Sequence, residues 1–396
     1  MTRVPKVTPN GMPARVMLAF LATAGLFYVN IMPALVNGLI DGLGFSNQQA
    51  GAIGSANVYG AAFGALCIVF FIKKLNWKIA ATVMLIGLIG MDLLSMLVQD
   101  AAWLTATRFV HGFVGGMLVG TGFSVIARTS ETDRTFGVLL FVQFGLGGLG
   151  VMLLPGLVPV YGVTILFWSL IAFSAVTLAM LPFLPAYPAQ DQANPLSIEQ
   201  SPVARVPLVL TLLAISAFQG ANMGLYAFII GLGKHYGLEL GFISTTLGIA
   251  AWIGLAGAGL VILMSDRFGH FRPIVWGTLL TAAGSAAFVF SDIAAVFFIA
   301  NCLLGVTWAF VIAYLLGLVS RFDSRGQMAA LGGFASKMGL ASGPALVAWL
   351  LGEDNYALVI WVCVSAMVAS ILLVWRPASL QDRAAQAQVV FRSTRP

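Results

Sequence analysis

Four ionisable residues lie inside long apolar stretches of this sequence, where a charge is costly. They are Asp92, Arg108, His111 and Lys337. A charged side chain at the centre of a lipid bilayer costs about 2.5–3.5 kcal/mol on insertion scales, so such residues mark functional sites by default. A carboxylate or a histidine can carry a proton, and a lysine can bind an anion. These residue types therefore indicate proton transfer together with the binding of a charged solute.

Asp92 and Arg108 lie at similar depths in consecutive apolar stretches. Asp92 lies six residues before the predicted outer end of one stretch, and Arg108 lies seven residues after the outer start of the next. At a rise of 1.5 Å per residue, both lie about 10 Å below the same surface. The short connection Gln99-Asp100 makes the two stretches neighbours, so we predict that Asp92 and Arg108 pair. The pair is either a fixed buried ion pair or a proton-coupling switch, in which Asp92 takes a proton when Arg108 is drawn away.

His111 lies one turn deeper than Arg108, on the same side of the helix. It is either a hydrogen-bonded packing residue or a proton relay. Lys337 lies ten residues into a later stretch, with no acid on the same helix. This depth is too great for the side chain to snorkel easily to the surface, so we interpret Lys337 as a cavity-facing substrate ligand, the alternative being a hydrogen-bonded structural role.

Neutral polar and aromatic side chains complete the predicted substrate site. Each of them could instead hold neighbouring helices together by hydrogen bonds. As a set they favour a polar cavity within the membrane. They are Asn30, Tyr59, Gln143, Gln219, Asn222, Tyr226, Asn301 and Trp308.

The apolar stretches that carry these residues are long enough to cross a bilayer. The chain has 396 residues, of which 60% are hydrophobic and 9% are charged. Soluble proteins carry about 25% charged residues. A hydrocarbon core of roughly 30 Å needs about 20 apolar residues of helix, and twelve stretches meet this requirement. These predicted spans cover residues 14–39, 48–71, 79–98, 101–127, 136–160, 163–184, 207–233, 242–264, 273–290, 293–318, 328–351 and 356–376.

The basic residues predict the orientation of the spans. With a cytoplasmic N-terminus, 17 of the 20 Lys and Arg residues fall in the tails and the even-numbered connections, as the positive-inside rule requires. Only Lys234 falls on the outer side. We therefore expect a multi-pass protein of a bacterial inner membrane with both termini in the cytoplasm. The net charge of +6 reflects this topology, and because the basic residues form no single patch we expect no nucleic-acid binding.

The sequence is an internal duplication. A shift of about 192–193 residues brings Arg128 onto Arg321 and Asn30 onto Asn222. An even number of spans in each half keeps both halves in the same orientation, as in a parallel repeat. The fold class is therefore an all-α membrane protein of two six-helix bundles. The predicted parts are an N-terminal bundle (1–184), a cytoplasmic linker (185–206), a C-terminal bundle (207–376) and a cytoplasmic tail (377–396) that is disordered or lies on anionic headgroups.

At these residues the chain resembles the major facilitator superfamily. The segment RFVHGFVGGMLVG (108–120) is similar to the span-4 motif of that family, and SDRFGHFR (265–272) is similar to its signature loop. The resemblance implies a monomeric secondary transporter whose bundles alternate access to a central site lined by spans 1, 4, 7 and 10. The equivalent first-half loop, with Lys73 and Lys74, lacks the motif's Asp and Gly. A latch formed by such loops would therefore depend on Asp266 and Arg267.

The intramembrane charges favour one class of solute. Arg108, His111 and Lys337 outweigh the single intramembrane acid, so the leading prediction is a proton-coupled transporter of a small organic anion. The alternatives are an exporter of drugs or other lipophilic compounds, a sugar or nucleoside carrier, a lipid flippase and a membrane sensor without transport.

Other protein classes lack their signatures in this sequence. A channel would need a filter of repeated carbonyls or charged rings, and an enzyme would need a nucleophile–base pair or a metal cluster. The His and Cys residues show no ligand spacing. We therefore expect no enzymatic activity, no cofactor and no metal site. The expected partners are a small-molecule substrate, protons and the lipid bilayer.

Overall fold

The apolar stretches form helices that cross the molecule from end to end, because only a helix satisfies its own backbone hydrogen bonds in lipid. The computed structural model describes residues 5–72, 75–188, 205–264, 267–322 and 327–393. Within these ranges, eleven helices are long and apolar enough to span a membrane, and shorter helices of the first stretch complete a set of twelve spans. The bounds are Met12–Ala24, Phe27–Asn30 and Met32–Leu43 (span 1), Asn47–Phe71 (span 2), Trp77–Leu97 (span 3), Ala101–Ile126 (span 4), Thr132–Tyr161 (span 5), Thr164–Met180 with the 3-10 turn Leu181–Phe183 (span 6), Arg205–Ala227 and Ile229–His235 (span 7), Leu240–Met264 (span 8), Phe271–Ala287 with the 3-10 turn Phe288–Phe290 (span 9), Ala294–Ser320 (span 10), Gln327–Leu351 (span 11) and Tyr356–Ser393 (span 12).

The odd-numbered connections are short turns with local capping chemistry. Gly44 ends span 1 in the left-handed conformation, at φ +69°, which glycine adopts without steric cost. Ser46 and Gln49 then cap the start of span 2 reciprocally, and Asp100 accepts a hydrogen bond from the Trp103 amide at the start of span 4. All odd-numbered connections lie at one end of the molecule, the odd-loop end. The even-numbered connections lie at the opposite, even-loop end.

The two halves form the two six-helix bundles of the predicted fold class. Within each bundle, glycines let helix backbones approach closely, which is how helices associate in lipid. A Cβ atom at Gly112 of span 4 would lie 1.9 Å from the Asn57 carbonyl oxygen of span 2. A Cβ atom at Gly343 of span 11 would lie 2.2 Å from the Gly220 carbonyl oxygen of span 7.

The bundles meet along two equivalent helix pairs, spans 2 and 11 and spans 5 and 8. The Tyr59 hydroxyl of span 2 lies 2.7 Å from the Ser342 hydroxyl of span 11. The Trp252 indole N–H of span 8 donates to the Gly145 carbonyl of span 5 at 3.1 Å. Tyr59 and Trp252 are repeat mates, since the repeat spacing brings one onto the other. The internal duplication therefore reappears as a pair of symmetric contacts between the bundles.

Span 1 is broken near its middle, unlike its predicted continuous form. The helix ends at Ala24 and resumes fully only at Met32. The first helix ends where the backbone turns at Gly25, and Pro33 lies in the first turn of the resumed helix, where its missing N–H costs no helical hydrogen bond. The break places the backbone carbonyl of Asn30 where it accepts a hydrogen bond from the Tyr226 hydroxyl of span 7, at 2.9 Å. The break therefore supplies a contact between the two bundles.

An ion-pair cluster joins spans 1 and 5 at the even-loop end. The Glu131 carboxylate lies 3.0 Å from the Arg15 guanidinium and 3.3 Å from that of Arg134. The hydrogen bond from Arg134 and the charge of Arg15 hold the pKa of Glu131 below its usual range. Arg15 is buried at 4% exposure, so this carboxylate balances a buried charge.

The first of the two alternatives predicted for the tail, disorder, is wrong up to Ser393, because span 12 continues through Pro377 as one helix to that residue; a position on anionic headgroups stays a prediction. Its Asp382 carboxylate accepts hydrogen bonds from the backbone N–H groups of His270 and Phe271, each at 2.9 Å. An acid at the N-terminus of a helix is favourable, so the tail caps span 9. Residues 189–204, which hold most of the predicted linker, lie outside the described ranges.

Candidate functional site

A cavity of about 290 Å³ lies midway along the spans, mainly in the C-terminal bundle. Spans 1 and 5 of the N-terminal bundle close its other side. The lining combines amide, phenol and indole groups with apolar side chains and contains no Asp, Glu, Lys, Arg or His. Seven of the nine residues predicted to bind substrate lie in it: Asn30, Gln143, Gln219, Asn222, Tyr226, Asn301 and Trp308.

Two aromatic residues and a glutamine form one wall. The Trp308 indole N–H donates to the Gln219 side-chain oxygen at 2.5 Å, and the Gln219 amide donates to the Ser336 hydroxyl at 2.7 Å. These bonds fix the Gln219 side chain in one orientation. The Tyr226 and Trp308 rings pack edge to face, with centroids 5.9 Å apart. This wall therefore offers a rigid aromatic surface for an apolar group.

The opposite wall comes from the broken part of span 1 and from span 5. The Gln143 amide donates to the Asn30 side-chain oxygen, and the Asn30 amide donates to the Gln143 carbonyl, both at 3.3 Å. A Cβ atom at Gly147 would lie 2.8 Å from the Asn30 Cβ, so span 5 can approach Asn30 because this position is glycine. Both hydrogen bonds are long and therefore weak, so a solute can compete for these amides.

Asn222 and Asn301 present amide oxygens beside the cavity. Each side-chain N–H group donates to the backbone carbonyl four residues earlier in its own helix, at 2.8 Å. The Asn222 oxygen is buried and has no hydrogen-bond partner among the described residues. A buried acceptor without a partner costs free energy, so this oxygen favours a solute or water that donates to it.

The other two predicted substrate residues do not line this cavity. Tyr59 makes the contact between spans 2 and 11 described above. Lys337 is half-buried on span 11, and no described residue forms a hydrogen bond or ion pair with it. Leu340, one turn further along the same face, lines the cavity. Lys337 therefore lies beside the cavity, on its even-loop side.

The predicted pairing of Asp92 and Arg108 is confirmed by the structure. An Arg108 guanidinium nitrogen lies 2.8 Å from an Asp92 carboxylate oxygen, and both side chains are almost completely buried. The guanidinium also donates to the Met91 carbonyl at 2.9 Å and to the Ser95 hydroxyl. The second Asp92 oxygen and the Arg108 Nε atom have no partner among the described residues. The pair is therefore closely held, but its hydrogen-bonding capacity is not fully used by the described residues.

His111 joins this pair as a third member. Its Nε2 atom lies 3.3 Å from the same Asp92 oxygen, and its Nδ1 atom lies 2.8 Å from the Asn57 amide nitrogen. The Asn57 amide also donates to the Arg108 carbonyl at 3.2 Å. With the amide in this orientation, Nδ1 accepts a hydrogen bond and Nε2 carries the proton. The arrangement therefore corresponds to a neutral histidine that donates to Asp92.

Span 1 lies between this cluster and the cavity. The Arg108 guanidinium lies 5.9 Å from the centre of the Tyr28 ring, and Tyr28 immediately precedes the cavity residues Val29 and Asn30. The expectation that spans 1, 4, 7 and 10 line the cavity is wrong for span 4. Span 4 packs behind spans 1 and 2, and spans 5 and 8 supply lining instead.

Polar contacts hold the bundles together at the odd-loop end. The Lys234 ammonium donates to the Asn37 side-chain oxygen at 3.0 Å and pairs with the Asp41 carboxylate. Asp41 and Lys234 are 193 positions apart, so they are also repeat mates. Between spans 2 and 11, the Asn47 amide donates to the carbonyls of Gly352 and Glu353 at 3.0 and 3.1 Å. These contacts close the path between the bundles at this end.

The predicted gating loops are described only in part. Lys73, Lys74 and Asp266 lie outside the described residues. Arg267 is exposed in the turn after span 8, where its backbone N–H donates to the Met264 carbonyl at 3.2 Å. Among the described residues, no group of three or more His, Cys, Asp and Glu side chains could hold a metal ion.

Three residues at the site were absent from the sequence prediction. Asn57 and Trp252 carry polar groups within predicted spans, and this feature of the sequence could have identified them. Asp41 could have been found from the repeat, because the shift that aligns the halves brings it onto Lys234.

The fold and the site define a polytopic membrane transporter, and comparison with known proteins identifies the family. The sequence matches the Major Facilitator Superfamily over residues 16–335, and the chain belongs to this family. It is therefore a transporter and not an enzyme. A sequence comparison with curated proteins gives no match.

Solved structures of similar fold are transporters of different solutes. The nucleoside transporter NupG is 14% identical, over 92% of this chain and 98% of that chain, with a TM-score of 0.70. The D-xylose-proton symporter is 15% identical, over 91% and 97%, with a TM-score of 0.69. A variant of the peptide transporter POT is 12% identical, over 96% and 98%, with a TM-score of 0.72. At these identities the likeness shows the fold alone.

Proposed function

We propose that this protein is a secondary active transporter of a small, uncharged or amphipathic organic solute and works by alternating access. The observation that carries the proposal is the lining of the central cavity, which offers amides, a phenol and an indole but no charged side chain. A volume of about 290 Å³ lies near the lower end of the usual range for ligand pockets. It suits a molecule the size of a sugar or a nucleobase derivative.

The lining residues have distinct roles in this proposal. The edge-to-face rings of Tyr226 and Trp308 contact the apolar or aromatic part of the solute. The amide oxygens of Asn222 and Asn301 accept hydrogen bonds from it, and Gln143 with Asn30 can exchange their weak mutual bonds for bonds to the solute. Because Asn30 is also joined to Tyr226 through its backbone carbonyl, a solute bound there contacts both bundles. A contact to both bundles is what couples binding to bundle movement.

The Asp92 cluster is the proposed proton-coupling site. Movement of span 1 would displace Tyr28, which packs against the Arg108 guanidinium. An Arg108 drawn away from Asp92 would leave a buried carboxylate without its counter-charge, and such a carboxylate takes a proton. His111 already shares the Asp92 oxygen and would relay that proton.

We propose that both termini lie in the cytoplasm of a bacterial cell, so that the odd-loop end, where polar contacts join the bundles, faces outward. The Lys234–Asp41 pair would then open when the transporter turns to the outside. We propose that the transporter does this as a monomer.

Lys337 supports a second candidate, transport of a small organic anion. Its ammonium has no described partner and lies one turn from the cavity residue Leu340. A carboxylate entering from the even-loop side would meet this charge before it reached the aromatic wall.

Thermal unfolding of the purified protein with uridine, D-xylose, benzoate and tetraphenylphosphonium tests these candidates. Replacing Trp308 by Phe removes the indole N–H and leaves the buried Gln219 oxygen without a hydrogen-bond donor. An unpaired buried acceptor costs about 1–3 kcal/mol of free energy. The neutral-solute proposal expects uridine or D-xylose to stabilise the wild type, with at least tenfold weaker binding to Trp308→Phe. The matched control Trp276→Phe changes an exposed indole and should bind like the wild type.

Lys337→Met separates the two candidates. If benzoate stabilises the wild type but not Lys337→Met, and the neutral solutes have no effect, the anion proposal replaces the neutral-solute proposal. A response to tetraphenylphosphonium alone would contradict both and favour an exporter of lipophilic cations.

A further inference from the structure

A second cavity, of about 330 Å³, lies at the even-loop end of the N-terminal bundle. It is formed where spans 2, 3, 4 and 6 end, and it shares no lining residue with the central cavity. Its lining includes two cations, Lys78 and Arg128, and two aromatic rings, Trp77 and Tyr187, whose centroids are 6.1 Å apart. Among the residues that the structure describes, its lining includes no carboxylate.

A third cation, Lys6, lies directly beside Lys78. The Lys6 ammonium donates to the Pro182 carbonyl and the Lys78 ammonium donates to the Leu184 carbonyl. These carbonyls are two residues apart at the end of span 6, so the two ammonium groups are held close together, and the charge of Lys6 acts on Lys78. An ammonium has three N–H donors, and a single carbonyl leaves donors unused on each lysine.

Arg128 also has only neutral partners among the described residues. Its guanidinium donates to the Tyr187 carbonyl at 3.0 Å and to the Ser124 hydroxyl at 3.1 Å. Burial raises the pKa of the Tyr187 phenol, so this group stays neutral and its hydroxyl donates to the Pro9 carbonyl at 2.6 Å. Interaction with the last carbonyls of a helix explains each lysine bond separately. It does not explain why two like charges that repel each other lie together beside an arginine.

Exposed apolar side chains lie on spans 2 and 3, two of the helices whose ends form this cavity. Phe70 is 72% exposed and Ile79 and Val83 are each 64% exposed on the outer faces of spans 2 and 3. Ile79 and Val83 are one turn apart, so they form a stripe that starts next to the lining residue Lys78. A stripe of this kind accommodates acyl chains, whereas the cations above it face the headgroup level.

From these observations we infer that Lys6, Lys78 and Arg128 form a binding site for a phosphate-bearing anion at the even-loop surface of the membrane. The ligand chemistry is a phosphate group that accepts hydrogen bonds from two ammonium groups and a guanidinium. The adjoining apolar stripe favours the headgroup of an anionic phospholipid as its source. Basic pockets between helices on the cytoplasmic side bind such headgroups. A soluble phosphate ester carries the same chemistry without the acyl chains.

The test measures thermal stabilisation of the full-length protein in a neutral detergent. The probes are dihexanoyl phosphatidylglycerol, dihexanoyl phosphatidylcholine and glycerol 3-phosphate. The wild type should be stabilised by phosphatidylglycerol and much less by phosphatidylcholine. Each lysine contributes about fivefold to the affinity for an anionic headgroup, so Lys6→Gln/Lys78→Gln should bind about 25-fold more weakly. The control Arg272→Gln removes an exposed cation at the same end of the C-terminal bundle and should respond like the wild type.

The outcomes separate the two sources and can overturn the inference. Glycerol 3-phosphate that stabilises as well as phosphatidylglycerol would identify a soluble ester, and stabilisation by the lipid alone would identify a headgroup. Equal stabilisation of the wild type and the double variant by phosphatidylglycerol would refute the site, as would no stabilisation by any phosphate. If the double variant does not fold, the single variant Lys6→Gln takes its place. Native mass spectrometry then measures how much phosphatidylglycerol the protein retains, and retention equal to that of the wild type would refute the site.

Discussion

Replacing Asp92 by Asn separates the structural and the coupling roles of the buried ion pair. Asn has the shape of Asp and keeps an oxygen for the Arg108 contact at 2.8 Å and the His111 contact at 3.3 Å. The substitution removes only the negative charge. Arg108, whose side chain is 1% exposed, would then be a buried cation without a described counter-charge.

The structure indicates the size of this effect. Removing one partner of a buried ion pair costs about 3–5 kcal/mol. Because Asn preserves the hydrogen bonds, we expect the lower end, about 3 kcal/mol. The double variant Asp92→Asn/Arg108→Met removes the stranded charge as well, and it should recover most of the loss because both charges are gone.

Chemical unfolding in detergent measures these differences, and a double-mutant cycle isolates the coupling between the two residues. A loss below about 1 kcal/mol in Asp92→Asn, or a double variant less stable than the single one, would refute the buried-pair account of stability. In proteoliposomes, Asp92→Asn should abolish solute-driven proton movement but retain solute exchange. Unchanged proton movement would refute the proposed coupling role, whatever the stability result.

Three further predictions follow from packing and charge. Gly112→Ala should cost about 1–3 kcal/mol, because its Cβ atom would overlap a backbone carbonyl. Gly90→Ala, with open space around it, should not destabilise the fold; equal melting temperatures of the two variants would contradict the packing. Lys234→Gln should shift the protein toward the form open at the odd-loop end by up to about fivefold, since a partly exposed pair contributes about 1 kcal/mol or less. Spin labels placed in the connection between spans 1 and 2 and in that between spans 7 and 8 should lie further apart in Lys234→Gln than in the wild type. An unchanged distance distribution would argue that the Lys234–Asp41 pair does not hold this end closed. The lowered pKa of Glu131 predicts a stabilisation that is complete above the ordinary pKa of glutamate and lost as the pH falls through the lowered one. Melting temperatures against pH should show this loss in the wild type and not in Glu131→Gln, and parallel curves would refute it.

The positions of the spans and of the ion pair followed from the sequence because both depend on counting along a helix. The length of an apolar stretch predicts a span. Counting residues from the short connection between spans 3 and 4 gave Asp92 and Arg108 the same depth and so predicted their contact. Most of the seven cavity residues were predicted for a similar reason, since an amide at mid-membrane depth needs a polar partner and therefore tends to face other helices or a cavity.

The remaining features depend on contacts between distant helices. The break of span 1 has local signals in Gly25 and Pro33, but its consequence, the hydrogen bond between the Asn30 carbonyl and the Tyr226 hydroxyl, depends on a helix of the other bundle. Lys337 was placed at the cavity from its depth alone, and it lies beside the lining rather than in it, because depth does not say which way a helix face turns; its role as a substrate ligand stays a prediction. The tail was predicted to be disordered or to lie on anionic headgroups, whereas its Asp382 accepts hydrogen bonds from two backbone N–H groups at the start of span 9.

The most direct test of the central claim is exchange of radiolabelled uridine and D-xylose in proteoliposomes, with the odd-loop end reversibly locked. Cysteines replace Asp41 and Lys234 in a chain whose native Cys67, Cys302 and Cys363 are changed to Ser, and a cleavable bifunctional thiol reagent joins them. The account predicts saturable exchange of at least one of these solutes before locking, none while the link is intact, and recovery after it is cleaved. Exchange that continues at the same rate through the locked protein, or no exchange of either solute by the unlocked one, would contradict alternating access of a neutral solute to the central cavity.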